Sequence, residues 1–320
     1  MNYQEPLAYG FNQIIKHYAR FPWYLPLPAN LEHGWTPRDH ALVTDLKTTK
    51  PLMLVMSRRR KAQWQKKSKI PAQIMGSPFI HFKNLRKITQ NKNAKGTIVF
   101  PAHSTFDLKS EYDIEDFCGK IKNLPEKFQP VTICLFYLDF ISAKADLYRQ
   151  AGFEVVTAGC KLANSLDFAK NFYKIIVSHR YCVSNKVSSA TFYAVDLGLP
   201  FFLLGEKPRL DISKSRDLNI AYLSPGQDCQ TGEIAEKLFS SGSRDKISRE
   251  QKEFVESEMG IGDCLSRGQM NKLLWRYSKQ NRYYFLQSIS YLLWICYKSL
   301  LLNAPWVSIL IRIKYKILNR

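Results

Sequence analysis

Short apolar runs alternate with segments of helical period through the middle of the chain. The runs are TIVFP (97–101), VTICLFY (131–137), FEVVTAG (153–159), YCVSN (181–185) and PFFLLG (200–205), and the amphipathic segments lie near 111–123, 141–151, 164–178 and 188–197. Buried strands that alternate with amphipathic helices are typical of right-handed βαβ units and of a parallel sheet covered on both faces. The pattern therefore predicts an α/β, Rossmann-like domain.

A second, smaller α/β unit is predicted upstream of this domain. It contains a buried strand, PLMLVMS (51–57), then the basic segment RRRKAQWQKK, then IPAQIMGSPF (70–79), which ends in a Gly-x-Pro turn. The polar stretch KITQNKNAKG (87–96) separates the two units. A chain of 320 residues has room for two domains. We therefore expect an N-terminal α/β domain (1–92), the Rossmann-like domain (93–230) and C-terminal helices (231–320).

The C-terminal segment is aromatic and apolar. Tyr283 to Ile311 resembles a membrane span at first sight, but Lys298 and Pro305 interrupt it, and each half is shorter than the ~20 residues that a span needs. Its tryptophans and the basic residues that flank it favour amphipathic helices lying in an anionic membrane interface. A helical pair packed on the protein's own core and a true span are the alternatives.

Charge and cysteine content restrict the partners and the compartment. The net charge is +20, and the range from Leu46 to Phe106 has 14 Lys and Arg and no Asp or Glu. Such a field attracts nucleic acid, anionic lipid or phosphorylated substrates. The seven cysteines show no CxxC spacing, and the N-terminus lacks the pattern of a secretion signal. We expect a protein of the cytoplasm or of a membrane surface that faces it.

Polar residues follow three strands of the predicted sheet, in AHST (102–105), AGCK (158–161) and SNKVSSAT (184–191). The carboxyl ends of parallel strands share one edge, where hydroxyls and helix-start N–H groups can hold a phosphate. The alternatives are ordinary helix caps for the serines and an ordinary loop histidine at 103. The predicted substrate-binding residues are Ser104, Thr105, Gly159, Ser184, Asn185, Ser188, Ser189, Thr191 and Glu206.

The run from TIVFPAHS through YRQAGFEVVTAG to FYAVDLGLPFFLLGE resembles the nucleotide-binding domain of GT-B-fold, nucleotide-sugar-dependent glycosyltransferases, in particular bacterial enzymes of capsule, O-antigen and related surface polysaccharides. The resemblance covers about 110 residues well and the N-terminal third loosely. It implies two Rossmann-like domains facing a cleft, with the donor on the second domain and the acceptor on the first. It also implies that the last helices cross back to the N-terminal domain.

The residues suggest which chemistry such a site performs. No Glu lies between Lys186 and Leu199, where many retaining members of that fold have a glutamate pair, so we expect inversion. The hydroxyl-rich turn is similar to that of families using CMP-activated acidic sugars. An inverting transfer needs a base for the acceptor hydroxyl, and Glu32 and His33 are the candidates, with Asp39 and His40 in reserve. His103 is assigned to the leaving phosphate. An ordinary polar surface turn is the alternative for 31–35.

The sequence has no DxD pattern and no ligand spacing among Cys and His, which predicts metal independence, and no cofactor is expected because the nucleotide-sugar is a substrate. The basic segment is assigned to an anionic membrane or to the phosphate of a lipid-linked acceptor; nucleic-acid binding and a solvated face are its alternatives, and we expect no nucleic-acid partner. Its residues are Arg58, Arg59, Arg60, Lys61, Lys66 and Lys67.

These expectations combine into one hypothesis with two rivals. The hypothesis is a transferase peripheral to the cytoplasmic face of the inner membrane, with a nucleotide-sugar donor and a glycan or lipid-linked acceptor. The rivals are a non-catalytic protein that binds nucleic acid or membrane, and a phosphotransferase of the teichoic-acid polymerase type on the same fold.

Overall fold

The computed structural model describes residues 8–104, 109–160, 166–211, 229–240, 245–280 and 284–302. The strands are β1 (Asn30–Leu31), β2 (Met53–Val55), β3 (Ala72–Ile74), β4 (Thr97–Val99), β5 (Lys109–Glu111), β6 (Val131–Cys134), β7 (Glu154–Val156), β8 (Tyr181–Ser184), β9 (Phe201–Leu203) and β10 (Arg209–Asp211). The helices are α1 (Phe11–Ala19), α2 (Val43–Leu46), α3 (Arg58–Gln65), α4 (Pro78–Leu85), α5 (Ile114–Lys122), α6 (Tyr137–Phe140), α7 (Ala143–Gln150), α8 (Asp167–Ile176), α9 (Ser189–Leu197), α10 (Gln230–Ser240), α11 (Arg249–Glu258), α12 (Arg267–Gln280) and α13 (Tyr284–Leu302).

The main sheet has five parallel strands in the order β7-β6-β4-β8-β9. β4 lies in the centre, and Ile98 pairs with Thr132 on one side and with Cys182 on the other. The three central strands are buried because helices cover both faces of a parallel sheet. The alternating pattern therefore predicted this sheet correctly, strand by strand.

A second sheet of three parallel strands, β1-β2-β3, precedes the main one. β2 is buried along its length and occupies its middle. The apolar run 70–79 contains both β3 and the start of α4, because Gly76 turns the chain at φ +69° and Pro78 begins the helix, where a missing N–H costs nothing. The α/β fold with two parallel-sheet units is therefore confirmed.

One hydrophobic core runs through both sheets and the C-terminal helices. The same cluster of buried side chains contains Leu54 of β2, Ile98 of β4 and Leu274 of α12. α12 packs on α1, where the guanidinium Nε of Arg267 donates to the carbonyl of Tyr18 at 2.9 Å. The C-terminal helices thus cross back to the N-terminal unit, as expected. The division at 92 and 230 stays a prediction, because the core does not stop at either position.

The C-terminal helix α13 follows directly on this crossing. Its side facing the protein is held by Tyr284, whose hydroxyl donates to the carbonyl of Pro26 at 2.7 Å. Among the described residues, none of the helices combines the length and the apolar character that crossing a bilayer requires. Residues 303–320 of the predicted tail lie outside the described residues.

Candidate functional site

A cavity of about 370 Å³ lies at the carboxyl end of the main sheet. The segments that follow β4, β6, β7 and β8 line it, and the segment that follows β1 contributes from the smaller sheet. Open α/β sheets bind their ligands at this edge. The described lining includes polar side chains from both sheet units: His33, His103, Ser184, Lys186, Ser188 and Ser189.

The start of α9 forms one end of the lining. Ser188 precedes the helix in an extended conformation, and its N–H donates to Oγ1 of Thr191 at 3.0 Å. Ser188, Ser189 and Ala190 all line the cavity. The first N–H groups of a helix have no intrahelical acceptor, and this end carries the positive pole of the helix dipole. The cavity is therefore adjacent to a helix start that suits an anion.

A direct hydrogen bond joins the two sheets at this point. The N–H of Trp35 donates to Oγ of Ser189 at 3.0 Å. Gly34 has a φ of +70°, and a Cβ on it would lie 3.2 Å from the same Oγ. A glycine therefore lets the 33–35 turn approach α9 closely. Ser189 is thus partly engaged in structure and is a weaker candidate phosphate ligand than its neighbour Ser188.

Lys186 is the one Lys or Arg among the described residues of the lining, and it was not among the predicted site residues. Its side chain is half-buried in the turn between β8 and α9. Burial lowers the pKa of its ammonium, and the positive charge of Lys207 lowers it further. Within the described part of the chain, no carboxylate lies within 4.0 Å of this ammonium. A half-buried cation without an ion-pair partner at a helix start is suited to bind a phosphate.

Two imidazoles face the same cavity. His33 follows β1 and is exposed, with its ring centroid 5.6 Å from that of Tyr9. His103 follows β4 and is also exposed, with its ring centroid 4.7 Å from that of Phe136. The structure therefore brings five predicted site residues from three separate parts of the sequence to one cavity: His33, His103, Ser184, Ser188 and Ser189. Their catalytic and binding roles stay predictions.

Aromatic side chains form much of the remaining wall. Phe79 stacks on Tyr193 with centroids 4.8 Å apart, and Phe100 stacks on Phe172 at 5.6 Å. Burial raises the pKa of Tyr193 to about 12, so its hydroxyl stays protonated at neutral pH. None of the described lining residues is Asp or Glu. The described lining thus combines one lysine, two imidazoles and flat apolar surfaces.

The structure does not place Glu32 in the cavity, which corrects its assignment as a base. Its side chain is 1% exposed, is ion-paired with Nε of Arg60 and accepts the N–H of Met56 at 2.7 Å. A buried carboxylate that neutralises a buried guanidinium cannot reach an acceptor. Asp39, the reserve residue, accepts the N–H of Thr231 at 3.1 Å and also lies outside the lining.

Ser184 and Asn185 are buried and hold the strand ends together. Oγ of Ser184 donates to the carbonyl of Phe100 at 2.6 Å and accepts the N–H of Lys186 at 3.1 Å. Oδ1 of Asn185 accepts the N–H of Ala102 at 2.8 Å. These bonds link the turn after β8 to the end of β4. The two side chains therefore position Lys186 and the 102–104 segment. Ser184 also lines the cavity, so its contact with substrate stays a prediction, whereas Asn185 lies outside the lining.

Ser104 and Thr191 are buried in the same way. The N–H of Ser104 donates to Oδ2 of Asp139 at 3.0 Å, and its Oγ accepts from Nζ of Lys144 at 3.2 Å. Burial raises the pKa of the Asp139 carboxyl, while Lys144 acts in the opposite direction. Thr191 is fully buried and caps α9 as described above. The local signal of a strand end cannot distinguish such structural hydroxyls from ligand-binding ones.

Two further predicted residues lie outside the described lining, and a third, Thr105, falls outside the described part of the chain. Gly159 has a φ of +97° and directly follows Ala158, which does line the cavity. Glu206 is exposed, lies 4.0 Å from Arg209 and does not line the cavity.

The basic segment divides into structural and exposed halves. Arg59 bonds Glu258 at 2.5 Å, Arg60 is buried against Glu32, and both are therefore unavailable to a membrane or an acceptor phosphate. Trp64 is also buried, with Nε1 donating to the carbonyl of Ile70 at 2.7 Å. Arg58 is largely exposed, although it pairs with Asp263. Lys61 is half-buried, and Lys66 and Lys67 are exposed at the end of α3.

No group of three or more His, Cys, Asp or Glu with a geometry for a metal ion occurs in the described ranges. Metal independence stays a prediction.

Comparison with known proteins gives distant likenesses in structure alone. No family model matches the sequence, and no curated protein matches it. The chain is similar to the wall teichoic acid polymerase TagF, with 13% identity and a TM-score of 0.34 over 77% of this chain and 64% of the polymerase, so it spans less than two thirds of that protein.

Two other solved structures share most of their length with this chain. The UDP-GlcNAc 2-epimerase from Neisseria meningitidis bound to UDP-GlcNAc has 14% identity and a TM-score of 0.37, over 85% of this chain and 81% of the epimerase. The S. aureus protein MnaA with UDP has 10% identity and a TM-score of 0.40, over 90% and 84%. Likenesses of this size carry no argument about ligand or reaction, which have to be argued from the cavity itself.

Proposed function

We propose that the chain is a glycosyltransferase that moves a sugar from a nucleotide donor to a surface-glycan acceptor of the capsule or O-antigen kind. The observation that carries the proposal is the half-buried ammonium of Lys186 beside the start of α9, in a cavity that also contains two imidazoles. A cation and helix N–H groups stabilise the phosphate that a nucleotide-sugar releases. The aromatic walls provide flat surfaces for the nucleobase.

In this scheme the reaction is an inverting displacement. The acceptor hydroxyl attacks the anomeric carbon while the bond from that carbon to the phosphate oxygen breaks, and the phosphate leaves with the electron pair. The hydroxyl proton passes to His33, which comes from the smaller, acceptor-side unit. Lys186 and the N–H groups at Ser188 and Ser189 stabilise the departing negative charge, with His103 on the same side. General-base catalysis of this kind contributes about 10²–10⁴ in rate.

The remaining parts of the proposal concern donor, acceptor and place of action. The donor is CMP-activated or another nucleotide-sugar, no metal ion or cofactor takes part, and the acceptor is a glycan or a lipid-linked glycan. The enzyme acts at the cytoplasmic face of the inner membrane as a peripheral protein. The positive field of the chain supports both an anionic donor and an anionic surface.

A nucleotide panel tests the proposal with purified protein. CMP, CDP, UDP and GDP are added separately, and thermal unfolding is followed. A ligand at a hundredfold excess over its Kd stabilises the folded state by about 2.7 kcal/mol, which raises the melting temperature by a few degrees. If no nucleotide raises the melting temperature, the transferase proposal fails. A non-catalytic protein that binds nucleic acid or membrane then becomes the favoured interpretation.

Product analysis then distinguishes a glycosyltransferase from a phosphotransferase of the teichoic-acid polymerase type. With the nucleotide that binds, the matching activated donors and a glycan acceptor are supplied, and the products are analysed by mass spectrometry. Glycosyl transfer gives a product without new phosphate, whereas a polymerase-type phosphotransferase leaves a phosphodiester in the product. A phosphodiester product would replace the glycosyltransferase proposal with the second reading.

A further inference from the structure

The outer side of α13 is apolar and exposed, which reverses the usual pattern of a surface helix. Leu286, Ile289, Leu293 and Tyr297 are 61%, 43%, 68% and 59% exposed. Their spacing of three and four residues places them along one side of the helix. Tyr291, on the other side, is 2% exposed. The helix therefore uses its polar and aromatic contacts to bind the protein and presents an apolar strip to the outside.

A second exposed aromatic segment lies beside this strip. Trp23 and Tyr24, in the loop after α1, are 60% and 44% exposed. Nζ of Lys16 joins the loop to the helix, because it donates to the carbonyl of Trp23 at 3.3 Å and to the hydroxyl of Tyr291 at 2.8 Å. Lys16 thus ties the loop to α13 across 275 residues of sequence. We call the exposed apolar side chains of α13 and of this loop together the apolar face; its residues are Trp23, Tyr24, Leu286, Ile289, Leu293 and Tyr297.

The charged residues that flank α13 in the sequence are all positive. From Cys264 to the C-terminus the sequence contains ten Lys and Arg and no Asp or Glu. Arg276 and Lys279, near the end of α12, are exposed just before α13 begins. An exposed apolar strip in a part of the sequence whose charges are all positive, together with an exposed Trp and Tyr, is complementary to an anionic bilayer. In such a bilayer aromatic rings lie at headgroup level and cations attract the lipid phosphates.

We propose that the apolar face docks on the surface of an anionic lipid bilayer, with α13 lying along the interface. Two other occupants fit the charges less well. A second copy of the chain would bring two cationic surfaces together, which is unfavourable. Residues 303–320 carry Arg312, Lys314, Lys316 and Arg320, so this segment repeats the charge of the face that it would cover. The proposal deepens the membrane-surface part of the proposed function and rests on it, but it depends on this surface and not on the cavity.

Vesicle flotation of the full chain tests the proposal, without any nucleotide present. One set of vesicles is pure phosphatidylcholine, and the other is phosphatidylcholine mixed with phosphatidylglycerol. We expect binding to the anionic vesicles and weak binding to the neutral ones. A variant with Leu286→Gln and Leu293→Gln loses two exposed apolar side chains and should bind the anionic vesicles at least about tenfold more weakly, because neither glutamine gains free energy by leaving water as a leucine does.

A matched variant controls for general effects of the substitutions. Leu147 of α7 and Ile234 of α10 are 47% and 49% exposed, so Leu147→Gln with Ile234→Gln removes similar apolar area elsewhere. This control should bind vesicles as the unmodified chain does. Thermal unfolding of all three proteins checks that each one folds, and the two exposed positions on α13 should tolerate glutamine.

Four results would overturn the proposal. The first is equal vesicle binding by the α13 variant and the unmodified chain, which would leave charge alone as the cause. The second is equal binding to neutral and anionic vesicles. The third is a dimer in light scattering that the α13 variant dissociates while no vesicles bind. The fourth is vesicle binding that occurs only after residues 303–320 are removed. Such a result would also remove the membrane placement from the proposed function. Because the assay contains no nucleotide, it would leave nucleotide binding and sugar transfer at the cavity to be tested separately by the nucleotide panel.

Discussion

Replacing Lys186 with methionine should separate binding from stability. Methionine has a similar length and no charge, so the substitution removes the ammonium and keeps most of the apolar contact. The folded protein holds the Lys186 proton less tightly than the unfolded chain does, because burial lowers the pKa of the ammonium. Below that lowered pKa the charge costs folding free energy. Without ligand, Lys186→Met should therefore raise the free energy of unfolding.

The same substitution should weaken nucleotide binding, although it stabilises the ligand-free protein. A hydrogen bond to a charged group contributes about 1.5–3 kcal/mol, and Lys186 has no carboxylate partner among the described residues that would replace a phosphate. Losing such a bond should raise the Kd of the bound nucleotide about 10-fold to 150-fold. The loss should be largest for nucleotides whose terminal phosphate reaches the start of α9, and smallest for the free nucleoside.

The assay is isothermal titration of the nucleotide identified by the thermal panel, together with urea unfolding of the ligand-free protein. Lys174→Met is the matched control, because Lys174 is an exposed lysine of α8 outside the cavity lining. The control should change neither quantity. An unchanged Kd in Lys186→Met would refute the phosphate role of this residue. A lower free energy of unfolding would show instead that the ammonium holds the fold together.

Three other substitutions or conditions have clear expected outcomes. Glu32→Gln leaves the buried guanidinium of Arg60 without its counter-charge and should cost about 3–5 kcal/mol of unfolding free energy in urea titrations; a loss under 1 kcal/mol would contradict the buried pair. His33→Gln should lower kcat about 10²-fold or more with little change in KM, whereas His17→Gln, outside the lining, should leave both unchanged; equal effects would remove His33 from the reaction. Nucleotide affinity should fall as the pH rises through the lowered pKa of Lys186, because the neutral amine no longer attracts phosphate, and titrations at several pH values should find this dependence absent in Lys186→Met.

The sequence predicted the sheets well because their signal is local. Each central strand of the main sheet is a short apolar run between helices, and burial on both faces of the sheet demands that composition. Three short strands, β1, β5 and β10, were missed. β5 and β10 pair antiparallel across about 100 residues of sequence, and neither LKSEY nor PRLDI has a strong alternating pattern.

The candidate site was predicted in part, and its failures share one physical cause. His33 and His103 reach the cavity, whereas Glu32 does not, because Arg60 lies 28 residues further on and removes the carboxylate into a buried pair. Partners so distant in sequence leave no local pattern. Lys186 was within reach of sequence reasoning, since it is the one basic residue inside the hydroxyl-rich SNKVSSAT stretch, and a cation there complements a helix start in binding phosphate.

The continuous core has a consequence for how such a protein can change its specificity. Side chains of β2, β4 and α12 belong to one packed interior. The hydrogen bond from the N–H of Trp35 to Oγ of Ser189 joins the two sheet units at the wall of the cavity. An exchange of the first 92 residues for those of another protein would cut through that interior and expose apolar surface on both pieces. A change in what the cavity binds is therefore expected to come from substitutions of single side chains around it, and not from the exchange of a whole N-terminal domain.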